Sequence, residues 1–221
     1  MSVEQVLTVA RADHFGGDWP QGFVPLSCEA AWDRIHEFER SAEHTARADA
    51  EADPSRKQLI PYCALTFGDQ ILVVERLPAQ GESRLHGRMS VGIGGHVNPE
   101  DGVGPGTIRR ALGRELREEL RIADSAVERA EPIGLINDDA SEVGSVHVGL
   151  AFRIELRSDE QESLQIREIS KMEGRFRRLA GSSGLWQYQR FLESWSRLLV
   201  GGTLVLMGGT ELQEHSEGNG S

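Results

Sequence analysis

Cysteine is scarce in this chain, with only Cys28 and Cys63 among 221 residues. Two cysteines cannot build a disulfide framework, and the apolar neighbours of both point to reduced, buried thiols in a cytoplasmic protein. Long apolar runs are missing as well. Nothing approaches the roughly 20 consecutive apolar residues that a membrane-spanning helix needs. The opening Met1-Ser2-Val3-Glu4-Gln5 has an early acid and no basic stretch, so no secretory signal and no membrane partner are expected. Positive charge is in deficit, with 24 Lys and Arg against 35 Asp and Glu and a formal net charge of −11. A broad nucleic-acid footprint needs a basic face, so nucleic acid is not an expected partner. Internal repeats are absent too, which removes a solenoid from consideration.

What is present is an ordinary globular balance of 38 % hydrophobic and 27 % charged residues, enough for one sizeable core. We expect an N-terminal extension over residues 1–56, a main domain over 57–200 and a tail over 201–221 whose end is disordered. The extension should hold an irregular lead-in with one strand. A helix capped by Ser27 should follow and run to about Ala48, with Trp32, Ile35 and Phe38 on its apolar side. Residues 59–67 and 71–77 read as a strand pair around Gly68-Asp69-Gln70. Residues 78–88 read as a loop, 89–97 as a short strand broken by glycines and 98–106 as a second loop. A helix from Thr107, its expected cap, reaches about Arg121. Strands are expected over 132–136 and 146–156, the second because Val146, Val148, Leu150, Phe152, Ile154 and Leu156 alternate with small or polar residues. A last helix covers about 186–200, with Trp186, Phe191, Trp195 and Leu199 toward the core.

The helix from Thr107 is the informative segment. At about 100° per residue, Glu115, Glu118 and Glu119 share one arc, beside an apolar stripe of Ile108, Leu112, Leu116 and Leu120. Arg110, Arg114, Arg117 and Arg121 fall on the remaining side. Three carboxylates on one face repel each other, and a hard divalent cation would relieve the repulsion. Such a cation could also polarise a phosphoryl oxygen and acidify a bound water. A solvated acidic face with Glu–Arg pairing would explain the same pattern, were it not for the preceding Ser90-Val91-Gly92-Ile93-Gly94-Gly95-His96-Val97. Its double glycine can bring backbone close to a ligand and offer a carbonyl to a metal.

Residues 94–122 resemble a Nudix box, G-x5-E-x7-R-E-U-x-E-E-x-G-U with U apolar. Arg114-Glu115-Leu116-Arg117-Glu118-Glu119-Leu120 matches its core, Ile122 the last U, and Gly94-Gly95 the customary double glycine. The segments 90–99, 134–139 and 146–150 are similar to a bacterial branch of MutT-like phosphoesterases. The likeness spans about residues 57–199. It departs from the pattern twice. The loop acid is Asp101 counting from Gly95 and Glu100 counting from Gly94, and the spacer to Arg114 exceeds the usual seven by five residues or by six. Arg121 stands where the pattern has glycine. The resemblance implies a Nudix-type α/β/α sandwich around a mixed sheet and an Mg²⁺-dependent hydrolase, with Mn²⁺ as an alternative ion, that cleaves a diphosphate linkage in a nucleoside diphosphate derivative or related compound. Glu115, Glu118, Glu119 and the Gly95 carbonyl would bind the metal. Glu118, Glu119 and Arg114 would be the catalytic set, with Arg114 orienting a glutamate. The expected partners are a small phosphate-containing substrate and a second copy of the chain in a homodimer. A non-catalytic Nudix-fold nucleotide sensor is the alternative.

Further groups are candidates for substrate contact. They are His96 beside the glycines, Asp138 and Glu142 in the turn before the alternating strand, and His147 on that strand. Asp139 shares the turn, although Asn137-Asp138-Asp139 is also ordinary turn chemistry. Trp186 and Tyr188 could stack on a base or simply pack. The loop over residues 98–105 is expected to be mobile and to shape substrate choice.

Overall fold

A computed structural model describes residues 3–15, 20–76, 88–157, 165–166, 172–178 and 184–206. The elements run β1 (Gln5–Ala10), α1 (Arg11–Phe15), β2 (Gly22–Pro25), α2 (Cys28–Ser41), β3 (Glu43–Ala46), α3 (Arg47–Ala52), β4 (Arg56–Phe67) and β5 (Gln70–Arg76). After them come β6 (Met89–Ser90), β7 (Gly92–Gly94), α4 (Thr107–Glu119), β8 (Leu120–Arg121), β9 (Val127–Asn137) and α5 (Glu142–Ser145). The chain ends its described part with β10 (His147–Leu156), β11 (Gln165–Ile166), β12 (Met172–Arg178) and α6 (Ser194–Leu206). The tail expected from residue 201 is described only to 206, and the loop expected over 78–88 lies outside the described residues except for Arg88.

One mixed sheet organises the chain, in the order β12-β5-β4-β10-β9-β2, with β1, β6 and β7 joined to its inner strands and β3 to β1. β4 lies at its centre. It runs parallel to β10 from the Gln58–His147 pair onward, and antiparallel to β1 at one end and to β7 in its middle. Both faces are covered. On one face, Ile35 and Phe38 of α2 and Ile108, Ala111 and Leu112 of α4 pack on Leu59, Val148, Leu150, Phe152 and Ile154. On the other, Leu199 and Val200 of α6 join Tyr62, Ala64, Ile71, Val73 and Ala151. This is the expected α/β/α sandwich. The small residues that alternate along β10 now have a reason. A Cβ on Gly149 would come within 3.0 Å of the Trp195 ring, so α6 can approach the strand only over a small side chain.

The N-terminal segment departs from its expected form. It contributes three strands to the sheet, β1 along β4, β3 along β1 and β2 along β9. Ser27 does cap α2, accepting from the Ala30 amide at 3.2 Å, but the helix stops at Ser41. The Ser41 hydroxyl bonds back to the Glu37 carbonyl, and residues 43–46 leave the helix to pair with β1, where the Thr8 and Thr45 hydroxyls meet at 2.8 Å. Pairing along an open strand thus overrides the helical propensity of the alanine-rich stretch. Cys28, expected to be buried, is exposed because it opens α2 at the solvent end. Cys63 is buried in β4, and burial pushes its thiol up to about 12. No helix among the described residues is long and apolar enough to cross a membrane.

A buried cation ties this segment to the far side of the sheet. The Lys57 side chain has no exposed surface, and its Nζ donates to Asn137 Oδ1 at 2.9 Å, to the Gly144 carbonyl at 2.9 Å and to Asp139. Asp139 also accepts from Arg11 at 2.5 Å and from Gln21 at 2.7 Å. Partial burial works to raise the Asp139 carboxyl, but the bonds from Lys57 and Gln21 outweigh it and hold the group below the usual carboxylate range. Asp139→Ala should therefore cost about 3–5 kcal/mol, because it leaves a buried ammonium without its counter-charge. Urea unfolding at neutral pH measures this. Since the folded-state value is the lower one, the contribution of Asp139 is complete above the unfolded value near pH 4 and is lost as pH falls through the folded one. The stability gap between wild type and Asp139→Asn should accordingly shrink on acidification.

Candidate active site

The strand β7, the loop after it and α4 form one unit. Gly94 and Gly95 are glycines for steric reasons: a Cβ on Gly94 would lie 2.0 Å from the Pro61 carbonyl oxygen, and one on Gly95 would lie 2.5 Å from the Glu115 carboxylate. Glu115 follows Ile108, Ala111 and Leu112 on the inward side of α4 and is only 9 % exposed. Burial pushes its carboxyl above the usual range, against the opposing bonds from Arg114. Glu118 projects outward with its side chain 56 % exposed, and Glu119 is half-buried beside it.

Arg114 is the centre of the unit. Its Nη1 donates to Glu115 at 2.7 Å and to Glu118 at 3.1 Å. Its Nη2 donates to the His96 carbonyl at 2.8 Å, and together Nε and Nη2 clasp Asp101 at 3.0 and 2.7 Å. These bonds hold the guanidinium charged. The loop acid is thus the one counted from Gly95. Asp101, 4 % exposed, is the counter-ion of the arginine, and Glu100 faces solvent. The first part of the loop over residues 98–105 is hydrogen-bonded to itself. Pro99–Asp101 forms a 3₁₀ turn in which the Asn98 amide donates to Asp101 Oδ2 and the Asp101 amide to the Asn98 carbonyl, both at 2.9 Å. Arg110 adds a bond to the Asp101 carbonyl at 2.7 Å.

The sequence did not disclose how α4 begins. Its cap position is Gly106, in the left-handed region at φ 82°, and Thr107 is already helical. The amides of Gly106 and Ile108 donate at 3.0 and 2.9 Å to the carboxylate of Glu39 on α2. An acid beside Ile35 and Phe38 on the inward stripe of α2 was the available signal, since a buried carboxylate requires donors.

Of the outlying candidates, His96 and His147 come together, with their Nε2 atoms 3.4 Å apart. His147 Nδ1 lies 2.6 Å from the Val143 carbonyl and must donate to it, which leaves Nε2 of the neutral ring as an acceptor. Burial, then Arg47 and His147, pull His96 down to about 4; burial also lowers His147, so both rings are neutral at pH 7. Asp138 is engaged in its own turn, accepting from the Ser141 hydroxyl at 3.1 Å, and Glu142 is exposed on α5. Among the described residues, neither bonds to α4. Tyr188 packs partly on the α6-side core, and the side chain of Trp186 lies outside the described ones.

No family model matches the chain. Protein YmaB of Bacillus subtilis (strain 168) is 35 % identical over 166 residues, which cover 74 % of this chain and 79 % of that protein. The crystal structure of Tm1382, provisionally assigned as a Nudix hydrolase, superposes with a TM-score of 0.73 at 27 % identity, over 92 % of this chain and 100 % of the other. A bifunctional NMN adenylyltransferase/ADP-ribose pyrophosphatase from Francisella tularensis, solved with AMP and a manganese ion, superposes more loosely. Its TM-score is 0.46 at 16 % identity, over 69 % of this chain and 42 % of that one, too loose to transfer its ligands. The fold and the strand–loop–helix unit are those of a Nudix-type hydrolase, an enzyme acting on phosphoric anhydride bonds. The chain belongs to the Nudix hydrolase superfamily and, within it, to the family of YmaB.

The Gly95 contact yields a direct test. The atom that a new methyl would strike is the end of a flexible side chain, so Glu115 can swing aside at little cost to the fold. Gly95→Ala should leave the melting temperature within a few degrees of wild type while lowering turnover at least about tenfold, since one tenfold step is about 1.4 kcal/mol of transition-state stabilisation. A matched fall in melting temperature and rate would instead assign the glycine to packing alone.

Proposed function

We propose that the chain hydrolyses a diphosphate linkage in a nucleoside diphosphate derivative or related compound, with a divalent cation, Mg²⁺ or Mn²⁺, held by α4. One observation carries this reading: the charge balance around Arg114. Asp101, Glu115 and Glu118 all bond to this one guanidinium, so three carboxylates face a single positive charge. The cluster retains two negative charges, the charge of one divalent cation. The donor chemistry fits a hard ion, since the ligands this arc offers are carboxylate oxygens. Glu115, Glu118 and Glu119 would hold it, with the Gly95 carbonyl. When bound, such an ion supplies Lewis-acid activation of a phosphoryl group and of a water. Arg114 aims Glu115 and Glu118 through its two Nη1 hydrogen bonds. The burial of Glu115 keeps bulk water from competing for it. His96 and His147 lie side by side, and as neutral rings they add no charge to the site.

A second reading is a non-catalytic nucleotide sensor. What favours it is that Arg114 bridges Glu115 and Glu118, and that no three His, Cys, Asp or Glu side chains converge as a metal cage among the described residues. Turnover separates the two. Glu118→Gln should retain the fold, since Glu118 is exposed, and should lower Mg²⁺-dependent hydrolysis at least about a hundredfold across a panel of nucleoside triphosphates, dinucleoside polyphosphates, nucleotide sugars and prenyl diphosphates. Wild-type turnover in that variant would remove the metal from α4.

The net charge of −11 sets the sign of a further outcome. A non-hydrolysable nucleotide analogue should bind weakly in EDTA and tightly in Mg²⁺, because a bound ion becomes the largest local charge. Calorimetry in the two buffers compares them. Equal affinity would give the phosphates to arginines and favour the sensor.

A further inference from the structure

The proposed metal site depends on α4 being held at the right height above β7, and the contacts that hold it begin outside the Nudix box. We infer that Glu39 is a positioning residue for the metal-binding carboxylates. The inference rests on the metal reading of α4 given above.

Glu39 is 4 % exposed and 67 and 69 residues away in sequence from the amides it binds. Those amides, of Gly106 and Ile108, are orphan donors at the start of α4, and Gly106 has no side chain with which to cap them. Glu39 satisfies both with one carboxylate, whose charge also suits the positive end of the helix dipole. This fixes the first turn, and the first turn carries Thr107 and Arg110. Arg110 Nη2 donates to the Thr107 hydroxyl at 2.9 Å, and its Nε donates to the Asp101 carbonyl at 2.7 Å. Asp101 clasps Arg114, and Arg114 holds Glu115 and Glu118. A continuous hydrogen-bonded chain therefore runs from the N-terminal helix α2 to the carboxylates. α2 also touches α4 through Trp32, over whose ring the Arg109 guanidinium lies at 4.7 Å. Releasing the cap would fray the first turn, loosen Arg110 and let Asp101 and Arg114 shift, so that Glu115 and Glu118 lose their common aim. The effect belongs to metal affinity and turnover, and not to the substrate term alone.

The test titrates the full-length protein with Mn²⁺ alone and reads free ion by electron paramagnetic resonance, with melting temperature measured in parallel. Glu39→Ala should weaken Mn²⁺ binding about tenfold, the size expected when a partner of a ligand is lost. Glu39→Gln, which keeps one acceptor oxygen, should fall between it and wild type. Arg110→Met breaks the chain one step further on at an exposed side chain, keeps the cap, and should weaken Mn²⁺ binding in the same direction. If Glu39→Ala does not fold, Glu39→Gln and Arg110→Met decide the matter. Ile136→Val, buried on the α6 side, serves as the destabilised control and should bind Mn²⁺ like wild type. Unchanged Mn²⁺ affinity in the Glu39 and Arg110 variants, with Glu118→Gln still losing the ion, would make the cap purely structural and overturn the inference. Wild-type Mn²⁺ affinity in Glu118→Gln would overturn the metal reading and this inference together.

Discussion

The guanidinium of Arg114 is the interaction on which the rest of the site depends. Asp101 is almost fully buried, Glu115 nearly so, and each would be an isolated charge in a poor solvent without it. Arginine suits the position because its planar fork can clasp Asp101 through Nε and Nη2 while Nη1 reaches two glutamates, a division that the ammonium of a lysine could not reproduce. The same group accounts for the glycines. The Glu115 carboxylate that this guanidinium holds can sit against the backbone only because Gly95 has no side chain there. Breaking the Asp101 clasp would leave a buried carboxylate uncompensated, which typically costs about 3–5 kcal/mol.

A second constraint comes from the N-terminal segment. β1 and β2 complete the sheet at opposite places, Arg11 and Gln21 lock the Asp139 turn, and Glu39 caps the helix that carries the carboxylates. Arg47, paired with Glu4 and Glu51, lies close enough to His96 to lower its proton affinity. The segment that precedes the Nudix box therefore holds the start of α4 through Glu39 and adds, through Arg47, to the burial that lowers His96.

The amino-acid sequence by itself determined the local elements and the class. The carboxylate, arginine and apolar stripes of α4 follow from a period of 3.6 residues, and the alternation along β10 follows from a period of two; both are properties of neighbours in the chain. The Arg114-Glu115-x-x-Glu118-Glu119 core after a double glycine was enough to indicate a Nudix-type enzyme. Tertiary structure decided everything that depends on partners far apart. It chose Asp101 over Glu100 as the loop acid, because only Asp101 is turned inward to the arginine. It made Asp139 the counter-ion of a lysine 82 residues earlier, where the sequence offered only a turn. It drew residues 43–46 out of an expected helix to pair with β1, and it brought together two histidines 51 residues apart. The physical reason is the same in each case. Periodicity and capping are read over a few residues, whereas a buried charge or an open strand edge takes whatever partner the fold delivers, at any separation along the chain.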